Sequence, residues 1–192
     1  MALKSGEREN TCKIQPGIHE AVFLGVWDLG EQMMAGKFPG EKHRCLIMWE
    51  LISGDTVTKE YTWFKFLPER SILRKDLESW RSTKFNDDQL KAIDYSRLPG
   101  QHCQLLVMVN DNGYAQVENV LPARDVSWQP HQSIIYYEIG DKIPEGTPNW
   151  VINKIQSSKE LAGSPAGGSQ GAAPTDNQQH HGGGEDDSTV PF

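Results

Sequence analysis

The sequence predicts a mainly β domain, with a helix set between its third and fourth strands and a tail that does not fold. Three observations carry this. Short runs rich in β-branched and aromatic residues, separated by Gly, Pro, Asn and Asp, recur along residues 17–121. One stretch, PERSILRKDLESWR at 68–81, switches to helical spacing. From Gly163 onward the chain is built from Gly, Ser, Ala, Pro, Gln and Asn, with no Lys or Arg and nothing apolar larger than Ala before Val190. Such a segment cannot bury enough surface to offset the backbone entropy lost on folding.

The elements follow in order. GIHEAVFLGVW at 17–27 mixes alternation with an apolar run and reads as a strand buried on one or both faces. GKFPGEK at 36–42 is a turn-rich loop. HRCLIMWELI at 43–52 is the second strand, and TVTKEYTWFKFL at 56–67 is the third. The tight turn Ser53-Gly54-Asp55 makes the two a hairpin. In the helix, Ile72, Leu73, Leu77 and Trp80 fall on one face. Asn86-Asp87-Asp88 caps a second short helix carrying Leu90 and Ile93, and Pro99-Gly100 ends it. QHCQLLVMV at 101–109 is strand four, Asp111-Asn112-Gly113 a hairpin turn, and 114–121 strand five. The order β-β-β-α-β-β is that of the OB-fold, a five-stranded Greek-key barrel. Residues 12–123 are assigned to this barrel, with 1–11 as a loose arm. Residues 124–162, with a short helix after Pro148 bearing Trp150, Val151 and Ile155, form an extension packing back on it. Residues 163–184 are a Gly/Gln linker and 185–192 an acidic tip.

Charge is unevenly spread. The chain has 19 basic and 26 acidic residues, a net charge of −7. Residues 37–84 carry ten Lys and Arg against seven Asp and Glu, so positive charge is confined to the middle. No apolar stretch is long enough to span a membrane, and MALKSGEREN lacks the apolar run of a secretory signal. Cys12, Cys45 and Cys103 lie far apart, which fits neither a disulfide framework nor a zinc site, and a reducing interior is expected. Enzyme motifs are missing: no Gly-Lys-Ser/Thr closes the 36–42 loop, and there is no HExxH or GxSxG. Asp87-Asp88 reads as a helix cap, and His180-His181 lacks a third metal ligand. No catalysis, metal or cofactor is implied.

The chain ends Glu185-Asp186-Asp187-Ser188-Thr189-Val190-Pro191-Phe192. Acids followed by an apolar residue, Pro and a terminal Phe resemble the tip of bacterial and phage single-stranded-DNA-binding proteins, whose tail is three acids followed by Ile-Pro-Phe. Here Val stands for Ile, and Ser188 and Thr189 intervene. YTWFKFLPERSILRKDLESWR, the PGQHCQLLVMV strand and PNWVINKIQSSKEL are similar to a family of phage-encoded single-stranded-DNA-binding proteins. The resemblance implies a non-catalytic coat on single-stranded DNA in replication, recombination and repair, in the cytoplasm of a bacterial host. It also implies that Asp186, Asp187, Val190, Pro191 and Phe192 recruit replication or recombination proteins. A Phe ring beside its own carboxylate needs only an apolar pocket next to a Lys or Arg. Barrel-edge strands and the 124–162 extension offer surfaces for a homo-oligomer.

Binding single strands without sequence preference needs aromatic faces interleaved with cations. In KEYTWFKF, alternation puts Lys59, Tyr61, Trp63 and Lys65 on one face and Glu60, Thr62, Phe64 and Phe66 on the other. Tyr61 and Trp63 are assigned to the groove, flanked by Lys59 and Lys65, with Phe64 and Phe66 in the core. The competing assignment reverses that parity. Arg44, Lys42 and Lys37, on or before strand two, are assigned to phosphates. Trp49 is assigned to the core, Trp80 and Trp150 to core or docking positions. Arg70, Arg74, Lys75 and Arg81 read as a solvated helix face. The alternative function is a protein-interaction adaptor with an OB-like barrel and no DNA affinity.

Overall fold

The computed structural model describes residues 13–36, 39–62, 67–124 and 128–162. The arm, the linker and the tip therefore lie outside the described residues. The fold is mainly β. Strands β1 (Gly17–Met34), β2 (Gly40–Leu51), β3 (Thr56–Thr62), β4 (His102–Val109) and β5 (Ala115–Leu121) pair antiparallel in the order β3-β2-β1-β4-β5. A sixth strand, β6 (Ile135–Tyr137), pairs parallel to the middle of β1. Helices α1 (Ile72–Arg81) and α2 (Asp87–Lys91) and a single 3-10 turn at Tyr95–Arg97 lie between β3 and β4. Helices α3 (Asn149–Gln156) and α4 (Lys159–Ala162) follow β6. Among the described residues no helix is long and apolar enough to cross a membrane.

The turn chemistry acts as the sequence indicates. The Gly54 N–H donates to Leu51 O (2.8 Å) and closes the β2–β3 turn. Between β4 and β5, the Gly113 N–H donates to Asn110 O (2.9 Å), and Asn110 Oδ1 accepts from the N–H groups of Asn112 and Tyr114. Gly113 has φ +79°, a value that costs a side-chain-free residue nothing. Asn86 caps α2 reciprocally with Gln89. One boundary differs: β1 runs to Met34 and β2 begins at Gly40, inside the expected loop. The Met34↔Gly40 to Gly30↔Arg44 ladder is held by backbone pairing among residues that, Met33 and Met34 apart, are polar or Gly, which leaves no apolar alternation to read.

Burial explains why β1 reads as an apolar run. Ten consecutive residues, 21–30, are buried. On one face Ala21, Phe23, Ile47, Trp49, Leu51, Leu105 and Val107 pack with Leu73 and Leu77 of α1. On the other face Leu24, Trp27, Leu29, Leu46 and Met48 pack against Ile135, Tyr137, Val151 and Ile155 of the extension. Register shifts in β1 between Phe23 and Gly25 and between Asp28 and Gly30 re-aim side chains between the two faces.

Carboxylates fasten the extension. Glu50 has no exposed surface and accepts from the N–H groups of His131 (2.9 Å) and Gln132 (3.2 Å), while its Oε1 also pairs with His131 Nδ1. Further along, the Glu160 carboxylate accepts the Glu31 N–H through both oxygens (2.9 and 3.0 Å). This needs close backbone approach at Gly30, which has φ +68°. A Cβ there would meet Glu160 Oε2 at 2.6 Å and Ser158 Cβ at 2.9 Å.

Burial pushes the Glu50 carboxyl up, but the His131 and Gln132 donors outweigh it and hold the group below its ordinary range. A depressed carboxylate contributes stability above its unfolded-state value and loses it as pH falls through the folded value. Thermal unfolding followed by Trp fluorescence should therefore show a melting temperature that drops on acidification through the carboxylate range. Glu50→Gln should cost about 1–3 kcal/mol at neutral pH and flatten that acid limb.

Candidate functional site

The face of β3 decides which side chains reach solvent. Val57 and Tyr61 point inward, so Glu60 and Thr62 point outward, the reverse of the expected parity. Tyr61 is 3% exposed, and its hydroxyl donates to Asp76 Oδ2 (2.8 Å). Lys59 Nζ donates to the same Asp76 oxygen (2.7 Å) and to Glu118 O (3.3 Å) on β5. The groove assignment of Tyr61 is thus corrected: it is a core residue, and Lys59 is half-buried and engaged beside it. The physical reason is Asp76, a buried carboxylate on α1 that needs donors and takes the Tyr hydroxyl and the Lys ammonium. Burial first, then the Asp76 charge, pushes the Tyr61 phenol up, so it stays a neutral donor. Outside, Glu60 is matched by Lys154 and Arg44, so an acid on the solvent face needed no apolar neighbour.

The same carboxylate changes the reading of α1. Ile72, expected on the inner face, is 61% exposed, and Asp76 takes an inner place beside Leu73 and Leu77. Trp49 is in the core as expected. Trp80 is half-buried, sets its edge on Phe23 (5.2 Å between centroids) and donates to His102 O (2.9 Å). Trp150 is 43% exposed and is not a core residue. Trp63, Lys65 and Lys37, with Phe64 and Phe66, lie outside the described residues, as do Asp186, Asp187, Val190, Pro191 and Phe192.

Where β3 leads toward α1, a cavity of about 210 Å³ opens. Arg44, Glu60, Tyr61 and Thr62 form its sheet wall, and Arg70 and Ser71, just before α1, with Ile72 and Leu73 of α1, form the wall opposite. The Arg44 guanidinium donates to Thr62 Oγ1 (3.1 Å) and reaches Glu60 Oε2 at 3.5 Å. Its Nε is buried with no hydrogen-bond partner among the described residues. Arg70 is exposed at the rim, and Ser71 caps α1 by accepting the Arg74 N–H (3.4 Å). Two guanidiniums against one carboxylate leave an excess of donors and of positive charge, in a space suited to a phosphate group. Lys42 sits on the outer hairpin, opposite Gln32 and half-buried.

Arg70 and Ile72 were legible only as helix-face residues. The one signal that could have singled them out is Ser71, a cap residue that puts Arg70 just before α1 and Ile72 at its first position. A second cavity, of about 300 Å³, lies between the sheet and the extension, with Leu24, Trp27, Met48 and Ile135 as walls and His131, Gln132 and Ser133 at the mouth. Among the described residues no group of three or more His, Cys, Asp or Glu could hold a metal ion. Compared with known proteins, the chain matches no family model and no curated protein.

Because Tyr61 is internal, Tyr61→Phe should cost about 0.5–1.5 kcal/mol in urea unfolding through loss of the Asp76 hydrogen bond. Its affinity for an oligo-dT, read by fluorescence anisotropy, should be that of the wild type.

Proposed function

We propose that this chain is a non-catalytic, sequence-independent single-stranded-DNA-binding protein of DNA replication, recombination and repair, phage-encoded and acting in the cytoplasm of a bacterial host. We also propose that its sheet is an OB-fold barrel. The strand order β3-β2-β1-β4-β5, with Lys59 of β3 bonded to the backbone of β5, supports the barrel. The observation that carries the DNA reading is the Arg44–Arg70 cavity, two of whose lining residues, Thr62 and Arg70, flank the sequence segment Trp63-Phe64-Lys65-Phe66. Arg70 follows this segment closely in sequence, and Arg44 pairs across the ladder with Thr62, the residue before Trp63, so guanidiniums for the backbone accompany an aromatic ring for the bases, as sequence-tolerant binding requires.

The covered outer face of β1 and β2 bears on the path of the strand. The extension already occupies Leu24, Trp27, Leu46 and Met48, so the DNA runs across the β3–α1 mouth rather than over the sheet centre. Partners are recruited by the tip, where Asp186 and Asp187 precede Val190-Pro191-Phe192. A tip tethered to a protein that coats DNA raises its own concentration at partners gathered there.

Binding of a fluorescent oligo-dT of ~30 nucleotides at graded salt tests the reading. Arg70→Ala and Trp63→Ala should each weaken binding several-fold without lowering the melting temperature. Arg70→Ala should also reduce the slope of log affinity on log salt by about one. Wild-type affinity in both variants would reject the cleft. Separately, deleting residues 186–192 should preserve or tighten DNA binding at low salt and abolish capture of replication or recombination proteins. Undiminished capture would remove the tip's role.

The second reading, a protein-interaction adaptor with no DNA affinity, is favoured by one observation. Lys59 and Arg44, two of the assigned DNA-binding cations, are each paired with a carboxylate. Absence of any salt-dependent shift of single-stranded DNA by the wild-type chain would select it.

A further inference from the structure

The cavity at the β3–α1 mouth is bounded by residues of the sheet and of α1, yet its charge is set by a third element. Glu60 stands between two cations. Its Oε2 faces Arg44 Nη2 at 3.5 Å, and its Oε1 accepts from Lys154 Nζ on α3 of the extension. The three groups form a chain of alternating sign, Lys154–Glu60–Arg44, running from the extension across the outer face of β3 into the cavity. All three side chains are partly withdrawn from water, being 40%, 28% and 15% exposed in that order, so their mutual fields are less screened than those of surface pairs.

We infer that Lys154 is a positioning residue for anion binding at this cavity: by holding Glu60 it keeps Arg44 available to a DNA phosphate. The inference rests on the single-stranded-DNA reading and names the part the extension plays in it. The charge arithmetic is direct. Arg44, Arg70 and Lys154 against Glu60 give the mouth +2. Without Lys154 the same groups give +1, and Glu60 is left with Arg44 as its remaining partner. A guanidinium closed on a carboxylate in two-point contact offers a phosphate fewer donors and less charge. With Lys154 in place, the long contact of Arg44 Nη2 with Glu60 (3.5 Å) leaves donor capacity at the end of the guanidinium for an incoming anion. The extension therefore completes the cleft in addition to covering the sheet.

A double-substitution cycle tests this, with fluorescent oligo-dT as the probe and full-length chains throughout. Lys154→Met keeps the aliphatic stem and removes the charge. It should weaken binding several-fold and make the salt slope shallower by about one. Glu60→Gln alone should tighten binding. The double variant carries the wild-type mouth charge and should return affinity and slope to wild-type values. A merely structural role for Lys154 would not be repaired by a second change at Glu60, so rescue separates positioning from packing. Wild-type affinity in Lys154→Met, or a double variant as weak as Lys154→Met, overturns the inference. Arg70→Ala distinguishes the level of failure. If it weakens binding while Lys154→Met does not, only the role of Lys154 falls. If neither weakens it, the cleft falls as well. Should Lys154→Met melt early, Lys154→Arg decides: it restores the charge and should bind as the wild type, and failure to do so counts against the inference.

Discussion

Burial of both faces of the β1–β2 pair is the constraint on which the rest of the structure depends. A sheet face made of Leu24, Trp27, Leu46 and Met48 cannot be left in water without a large apolar patch. The extension supplies Ile135, Tyr137, Val151 and Ile155 to cover it. Because that cover is short, with a three-residue strand and two small helices, polar fasteners fix it in register: Glu50 on His131 and Gln132, Glu160 on Glu31, and Lys154 on Glu60. The consequence is spatial. With that face of the sheet covered, the cavity between Arg44 and Arg70 lies at the edge, where β3 approaches α1.

The opposite face is organised by one internal charge. Asp76 sits on α1 among Leu73 and Leu77, and its carboxylate is satisfied by Tyr61 and Lys59. A buried carboxylate is expensive unless paired and hydrogen-bonded, and here both conditions are met. This arrangement ties the helix to β3 and, through the Lys59 contact with Glu118 O, β3 to β5. It also fixes which β3 residues face out. Glu60 and Thr62 face outward beside Arg44 because Lys59 and Tyr61 are held by Asp76, and Tyr61 closes the inner end of the cavity.

Much of the fold was legible because its signals are local. Turn residues at Gly54 and Asp111-Asn112-Gly113, the helix cap at Asn86 and the helical spacing of Leu73 and Leu77 act through neighbouring atoms, so a linear reading finds them. The double burial of β1 was visible as its apolar run. The site was less legible because it rests on long-range pairings. Glu60 was placed on the face opposite the groove, with Phe64 and Phe66, but Lys154, 94 positions away, meets it on the outside. Tyr61 looked like a stacking platform, but a carboxylate 15 residues on draws it inward. Alternation gives two faces; it does not say which is the inner one when each carries a charge. The extended β1–β2 hairpin to Met34 and Gly40 was missed for a related reason, since backbone ladders leave no mark on side-chain pattern.

The close approach at Gly30 has a consequence for how this sequence can change. The Glu160 carboxylate and the Ser158 side chain sit where a Cβ of residue 30 would be. Any larger residue at 30 must be matched by a rearranged segment near 158–160, and a C-terminal segment exchanged from another chain must present a surface that accepts a bare backbone there. The strand and the far end of the extension, 130 positions apart, are therefore expected to vary as one inherited unit.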